Sequence, residues 1–341
     1  MLSWRKFVGL LATVFLVAGL VWAGGKQEAK APTAKELPQV TWKLSHTTQP
    51  NSPYGVGAIK LADLVKEKTG GKFIIQVHHQ GVLGWEREVL EAMQVGTIEA
   101  TIPALGPFAV FVKSYDVFNL PFMFRSPEHM LKAFASPVVE PLKKDAEKYG
   151  FIVPVLHCPL FRYPLNSVRP IKTLDDFKGL KIRTMGTPAH IDAYKALGAN
   201  VTTTAFSELY SALQLKAVDG CENFYVNLYT MRFHEVTKYL SNLPIVNNAA
   251  AFAFSKVKFD QLPTEYKEIL ISSSKEAAEV LNKVALEGEE DAKQAMIKAG
   301  IQYDEIKDFT PFIQATEPVR QKYLAAMEPW VRKIAEEIMK M

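Results

Sequence analysis

From Val40 onward, short apolar runs alternate with segments in which apolar positions recur every three or four residues. VTWKLSH, FIIQVHH and TIEATIP read as strands, whereas the segments from about Gly55 to Lys68 and from Trp85 to Val95 have the spacing of amphipathic helices. This is the rhythm of βαβ units, in which helices cover a sheet and ligands sit beyond the strand ends. Around Phe151 the pattern changes to consecutive strand-like runs, FIVPVLHC and FRYPLNS. A second α/β unit follows, opening with a short helix capped by Thr173 and stopped at Gly179. It continues through the strand KIRTM, the helix IDAYKALG, the strand NVTTT, the helix SELYSALQLK, the strand AVDGCENF and a return strand near AAAFAFS. From Thr264 to about Ala299 a helical pattern runs without proline, interrupted only by Gly288. A helix of that length must lie across more than one packing unit. A last strand, IQYDEIK, and an amphipathic helix from Pro318 to the C-terminus close the chain.

Ahead of this body, residues 1–23 have a charged start, MLSWRK, an apolar run from Phe7 to Trp22 and a small-residue exit at Ala23, the arrangement of an export signal. The run approaches the roughly 17 to 25 residues of a membrane span, so a retained signal anchor is the alternative. No cysteine follows it, which argues against a lipid-anchored form. Residues 24–38, GGKQEAKAPTAKELP, are small, polar and Pro-containing, and read as a flexible linker.

The chain of 341 residues is 48% hydrophobic, enough for one large or two medium cores, and this excludes disordered and fibrous classes. The formal charge of +4 includes Arg5 and Lys6 of the leader, so the body carries an excess of only two. Such a balance argues against a nucleic-acid partner. The two cysteines, Cys158 and Cys221, are too few for a disulfide framework and lack metal-ligand spacing, although one bridge between them is conceivable in an oxidising compartment.

Signatures of catalysis are missing: there is no GxSxG, no Walker A and no GxGxxG, and the HEVTK at His234 lacks the second histidine of a zinc helix. Cys221 beside Glu222, with His157 or His234 as base, could be imagined as a nucleophile; a buried structural thiol is the better account, since nothing local marks it as an exposed thiolate.

The second unit instead holds residues suited to recognising a carboxylate: Arg162, Arg183, Phe206 and Asn223. In KIRTM, strand alternation puts Ile182 and Thr184 on one face and Arg183 on the other, so Arg183 faces a cleft if its neighbours face a core. A guanidinium there needs an anion, and its fork matches a carboxylate. The structural alternative is an arginine paired with a carboxylate of the protein itself. Asn223 closes its strand and can donate to a ligand carboxylate or hydroxyl, or simply end the strand. Phe206 precedes Ser207, the apparent N-cap of the next helix. A hydrophobic staple would explain it, but Ser211, four positions into that helix, is not apolar. In the first unit His46, Tyr54 and Gln80 fall at or just after strand ends, where a cleft wall would lie, with a purely structural role as the alternative for each.

The stretch beginning at Leu174, with LDDFKGLKIRTM, AFSELY and DGCEN in it, resembles the central segment of the DctP-type solute receptors of TRAP transporters, the tripartite ATP-independent periplasmic systems. GVLGWEREVLEAMQVGTIEAT and the Asn119-Leu120-Pro121-Phe122 segment are similar to that family's N-terminal lobe, so the resemblance spans the body from about residue 40. It implies two α/β lobes hinged around a cleft with one long helix across both: lobe I at 39–162, lobe II at 163–252, and 253–341 completing both. It also implies that Arg183 forms the main salt bridge to a ligand carboxylate, that Arg162 adds a second polar contact, and that Phe206 and Asn223 line the pocket. Many relatives carry proline after the DGxEN asparagine, where this chain has Phe224 and Tyr225, a departure at the cleft floor.

The expectation is therefore an extracytoplasmic binding protein, not an enzyme and without cofactor or metal. It captures a small organic carboxylate (C4-dicarboxylate, sugar acid or keto acid) and hands it to TRAP membrane subunits. An exported enzyme acting on a carboxylate, or a sensor-type binding protein, is the competing expectation.

Overall fold

The computed structural model describes residues 37–341, so the expected export signal and most of the expected linker lie outside the described residues. In chain order the strands are β1 (Val40–Ser45), β2 (Phe73–His78), β3 (Ala100–Thr101), β4 (Phe151–His157), β5 (Phe161–Asn166) and β6 (Lys181–Thr184). They continue as β7 (Asn200–Thr203), β8 (Gly220–Asn223), β9 (Tyr239–Ser241), β10 (Val246–Asn247), β11 (Ala250–Ser255) and β12 (Gln302–Asp304). Two sheets result, one with the order β2-β1-β3-β11-β4 and one with the order β12-β9-β5-β8-β6-β7, to which β10 adds by pairing with β5. Each sheet is the floor of one lobe of an α/β fold.

In lobe I the crossover helix Pro53–Lys68 lets β1 and β2 pair in parallel, with Val40 opposite Phe73 and Ser45 opposite His78. Ser52 starts that helix by accepting a hydrogen bond from the Gly55 N–H at 3.2 Å, with Pro53 in the first turn, where a missing N–H costs nothing. Its buried face, with Ala58, Leu61 and Val65, packs on the long helix Thr264–Lys298. Gly57 permits the approach: a Cβ there would sit 2.6 Å from the Leu281 Cδ1 atom. The core of lobe I is aromatic, with Phe108 meeting Tyr115 and Phe151 edge-on at 4.8 and 5.1 Å. The C-terminal helix Pro329–Lys340 closes it with Val331, Ile334 and Ile338. Lobe II has its own core, in which Phe177, Ile182, Tyr194, Leu243 and Phe312 pack together.

The long helix has 35 residues, about 50 Å at 1.5 Å per residue. It packs on Pro53–Lys68 and β4 in lobe I and on the short helix Tyr225–Thr230 in lobe II. The second contact is fastened by Glu289, whose carboxylate accepts the N–H groups of Val226 at 2.9 Å and Tyr225 at 3.1 Å. These are orphan donors of a helix start, and a carboxylate is their natural partner.

Several local expectations need adjustment. The chain passes from one sheet to the other at 158–160, whereas the boundary expected at 162/163 would cut β5 in two. The helix expected from Pro318 is two helices, Thr310–Ala326 and Pro329–Lys340: Pro318 sits inside the first, and the break falls at Met327 before Pro329. Ser207 is not an N-cap but lies within a 3-10 turn, Phe206–Glu208, which follows Ala205. Thr173 does cap Leu174–Phe177, in a reciprocal box with Asp176, and the chain then turns through Gly179 at φ +77°. Cys158 and Cys221 are both free and buried, so no bridge joins them. Among the described residues no helix is long and apolar enough to cross a membrane.

Candidate ligand-binding cleft

A cavity of about 40 Å³ lies between the two sheets, more than the roughly 10–15 Å³ that one water needs. Lobe II lines it with Arg162, Arg183, Met185, Phe206, Asn223, Phe224 and Asn227. Lobe I contributes Thr47, Thr48, Tyr54, Glu86 and Ala104, and Asn248, between β10 and β11, lies at the crossing.

Arg183 is placed by strand alternation. Its neighbour Ile182 enters the lobe II core, so Arg183 on β6 projects to the other face and is 5% exposed. Its Nε and Nη2 atoms donate to the Thr204 carbonyl oxygen at 3.0 and 2.7 Å, which holds the fork in place. Nη1 is buried and has no partner among the described residues. The guanidinium also lies 5.8 Å from the centroid of the Phe206 ring. Burial holds the Arg183 pKa below its ordinary value, with Glu222 opposing and the Arg162 charge adding to the depression. A buried cation with an unpartnered nitrogen is a site that an anion stabilises.

Arg162 is in the opposite state. The antiparallel pairing of β5 with β8 puts Tyr163 opposite Asn223 and Pro164 opposite Glu222, which brings Glu222 against Arg162. The Nε atom donates to the Glu222 carboxylate, Nη2 to the Glu222 carbonyl oxygen at 2.8 Å, and Nη1 to the Asn248 amide oxygen. The pairing with a protein carboxylate considered for Arg183 thus belongs to Arg162. Asn248 then donates to the Tyr54 hydroxyl at 3.0 Å, so one chain of hydrogen bonds runs from lobe II to the first turn of the lobe I helix Pro53–Lys68.

Asn223 ends β8 with its amide oxygen accepting the Phe224 N–H at 3.0 Å, and among the described residues its amide nitrogen has no partner. Phe206 and Trp85 meet edge-on at 6.1 Å, one from each lobe, and Phe206 is backed by Phe233 at 5.7 Å.

His46 and Gln80 do not line the cavity. The His46 ring is turned to Thr48 Oγ1 at 3.1 Å and His79 Nδ1 at 2.7 Å; burial, and next the His79 ring, push its pKa down to about 3, so it is neutral. Gln80 is exposed at φ 58°, and its N–H donates to the Thr48 carbonyl oxygen at 3.1 Å. Both brace the loop after β1, and the wall itself is Thr47 and Thr48. Three further polar wall residues escaped sequence reasoning. Glu86 starts the helix Glu86–Val95 and accepts the Ala104 N–H at 3.1 Å; burial raises its pKa, opposed by that hydrogen bond and by Arg162 and Arg183. Asn227, on Tyr225–Thr230, has a buried amide oxygen without a partner among the described residues. Asn248 directly follows Asn247 of β10, ahead of β11. A carboxylate opening a helix just past a strand end was a usable signal for Glu86. Nothing local marked the two asparagines.

The nucleophile considered for Cys221 does not suit its surroundings: burial, and then the Glu222 charge, push its thiol up to about 12.

A family model described as DctP, bacterial extracellular solute-binding protein, family 7, matches residues 44–336. The chain belongs to this family. A solute-binding protein from Verminephrobacter eiseniae is 35% identical over 287 residues, covering 84% of this chain and 85% of that protein. The C4-dicarboxylate-binding periplasmic protein DctP of Rhodobacter capsulatus is 30% identical over 297 residues, 87% of this chain and 86% of that protein. Among solved structures, a TRAP periplasmic solute-binding protein from Sulfitobacter sp. NAS-14.1, with bound β-D-galacturonate, superposes with a TM-score of 0.84 at 29% identity, over 88% of this chain and 100% of that one. Membership in the family accords with the two-lobed α/β fold, its spanning helix and a cavity between the sheets.

Proposed function

We propose that this chain captures a small organic acid in the interlobe cavity, outside the cytoplasmic membrane after export by residues 1–23, and delivers it to the membrane subunits of a TRAP transporter. The observation that supports this reading is the buried, unpartnered Nη1 of Arg183, a charged donor at the cavity wall, held by two bonds to Thr204. Arg183 is the carboxylate anchor, Asn223 a second donor, and Tyr54 and Phe206 are wall residues. Arg162 contributes through its pair with Glu222, which shapes the cavity more than it supplies free charge. No bond of the ligand is made or broken. Closing the lobes excludes water, which strengthens the charged contacts, and the Trp85 and Phe206 rings shut the mouth.

A thermal-shift panel of dicarboxylates, uronates, aldonates and keto acids tests the proposal. At 100 times its dissociation constant a true ligand adds about 2.7 kcal/mol of stability. The expected outcome is a rise with one acid class in the wild type and none in Arg183→Ala. Equal responses in both proteins would remove Arg183 as the anchor. Turnover of the bound acid would replace the carrier reading with an enzymatic one.

A further inference from the structure

We infer, building on the carboxylate reading above, that this cavity selects a hydroxylated monocarboxylate of the sugar-acid class over a C4-dicarboxylate, with Glu86 and Asn227 accepting hydrogen bonds from the ligand hydroxyls. The argument starts from the charges around the cavity. Two guanidinium groups line it, but the charge of Arg162 is offset by the Glu222 carboxylate it pairs with, and each of its nitrogens already makes a bond to Glu222 or Asn248. Of the two, only Arg183 has a buried nitrogen with no partner among the described residues. One ligand carboxylate uses it, and a second would find no unneutralised cation on the cavity wall. It would share the enclosure with the Glu86 carboxylate, and like charges in a site shielded from water repel strongly.

Two acceptors on the cavity wall point the same way. The buried amide oxygen of Asn227 is an acceptor without a donor among the described residues. Glu86 brings carboxylate oxygens to the lobe I wall, where one of them accepts the Ala104 N–H. Acceptors are satisfied by hydroxyl groups; a carboxylate has no proton to offer them, and a buried polar group left unpaired weakens binding. A sugar acid presents one carboxylate to Arg183 and several hydroxyls to the opposite wall. Succinate presents a second carboxylate there.

Calorimetric titration of D-galacturonate, D-galactonate and succinate into the wild type, Glu86→Gln, Asn227→Ala and Arg183→Ala separates this inference from its parent. In the wild type at least one of the two sugar acids is expected to bind about 10-fold or more tightly than succinate, the worth of one well-placed hydrogen bond. Glu86→Gln, which retains an oxygen for the Ala104 N–H, is expected to lower sugar-acid affinity about 10-fold while succinate affinity holds or rises. Asn227→Ala is expected to weaken the sugar acid several-fold and leave succinate unchanged. Tighter wild-type binding of succinate, or equal losses for both ligands in Glu86→Gln and Asn227→Ala, would overturn the selectivity while leaving Arg183 as the anchor, provided Arg183→Ala abolishes binding. If Arg183→Ala binds any of the acids as well as the wild type, the parent reading fails and this inference falls with it.

Discussion

The two lobes build the same cavity in different ways. Lobe II supplies charge from strands: Arg162, Arg183 and Asn223 lie on β5, β6 and β8, whose ladders fix each position to its neighbour. Lobe I supplies three hydroxyls and a carboxylate from strand exits and helix starts: Thr47 and Thr48 after β1, Tyr54 and Glu86 at the first turns of two helices. One wall is thus built on strand ladders and carries the arginine charges, while the other is set by loop and cap geometry.

If the lobe II wall owes its rigidity to charge pairing, removing the pair's acid should undo it. Replacing Glu222 by Gln leaves the buried Arg162 without its counter-charge, and a broken buried pair typically loses about 3–5 kcal/mol. Urea unfolding should show a loss in that range; a loss below about 1 kcal/mol would mean that this wall does not depend on the pair.

A more modest effect concerns the tie between lobe II and the long helix. Burial raises the Glu289 pKa to about 8 despite its two backbone hydrogen bonds. Between the ordinary carboxylate value of 4.5 and about 8, the folded protein therefore holds a proton that the unfolded chain has released. Stability falls as pH rises through that window and is level on either side. The slope there reaches at most about 1.4 kcal/mol per pH step of one, and relaxation around the carboxylate reduces the total decline to the order of 3 kcal/mol. It should largely vanish in Glu289→Gln, as read by unfolding free energies at a series of pH values. An unchanged slope would place the titration elsewhere.

The least of these effects bears on how closely the two walls meet. A Cβ on Gly106 would lie 2.3 Å from Thr187 Oγ1 and 3.2 Å from Met185 Cε, across the cleft. Gly106→Val should hinder the lobes from meeting, with a penalty of roughly 1–2 kcal/mol falling on ligand affinity more than on the unligated fold. Titration calorimetry beside urea unfolding of the same variant separates the two; equal loss in both would show that Gly106 serves packing alone.

Legibility followed the same division between the lobes. Strand alternation in KIRTM was enough to turn Arg183 away from the core, because the two-residue period leaves no other face. The long helix from Thr264 was legible from its proline-free periodicity. Lobe I was not legible in this way. His46 and Gln80 lie at the expected strand ends, but after β1 the chain bends, His46 turns to Thr48 and His79, and the cavity is left to Thr47 and Thr48. Strand parity says nothing once a strand has ended. Pro318 misled for a related reason, since proline marks a helix's first turn in sequence but can sit inside a helix when packing elsewhere holds it.

The pattern along the chain was sufficient for two α/β units, a helix long enough to join them and an arginine directed off a core face. All of these rest on periodicity within a single segment. Which arginine is spent and which is free came from the packing of distant segments. Glu222 lies 60 residues from Arg162 and reaches it because β5 and β8 run antiparallel in one register. Likewise, Glu86 and Asn227 become parts of one site only when the two sheets face each other, because their proximity is a property of lobe packing and of no local pattern.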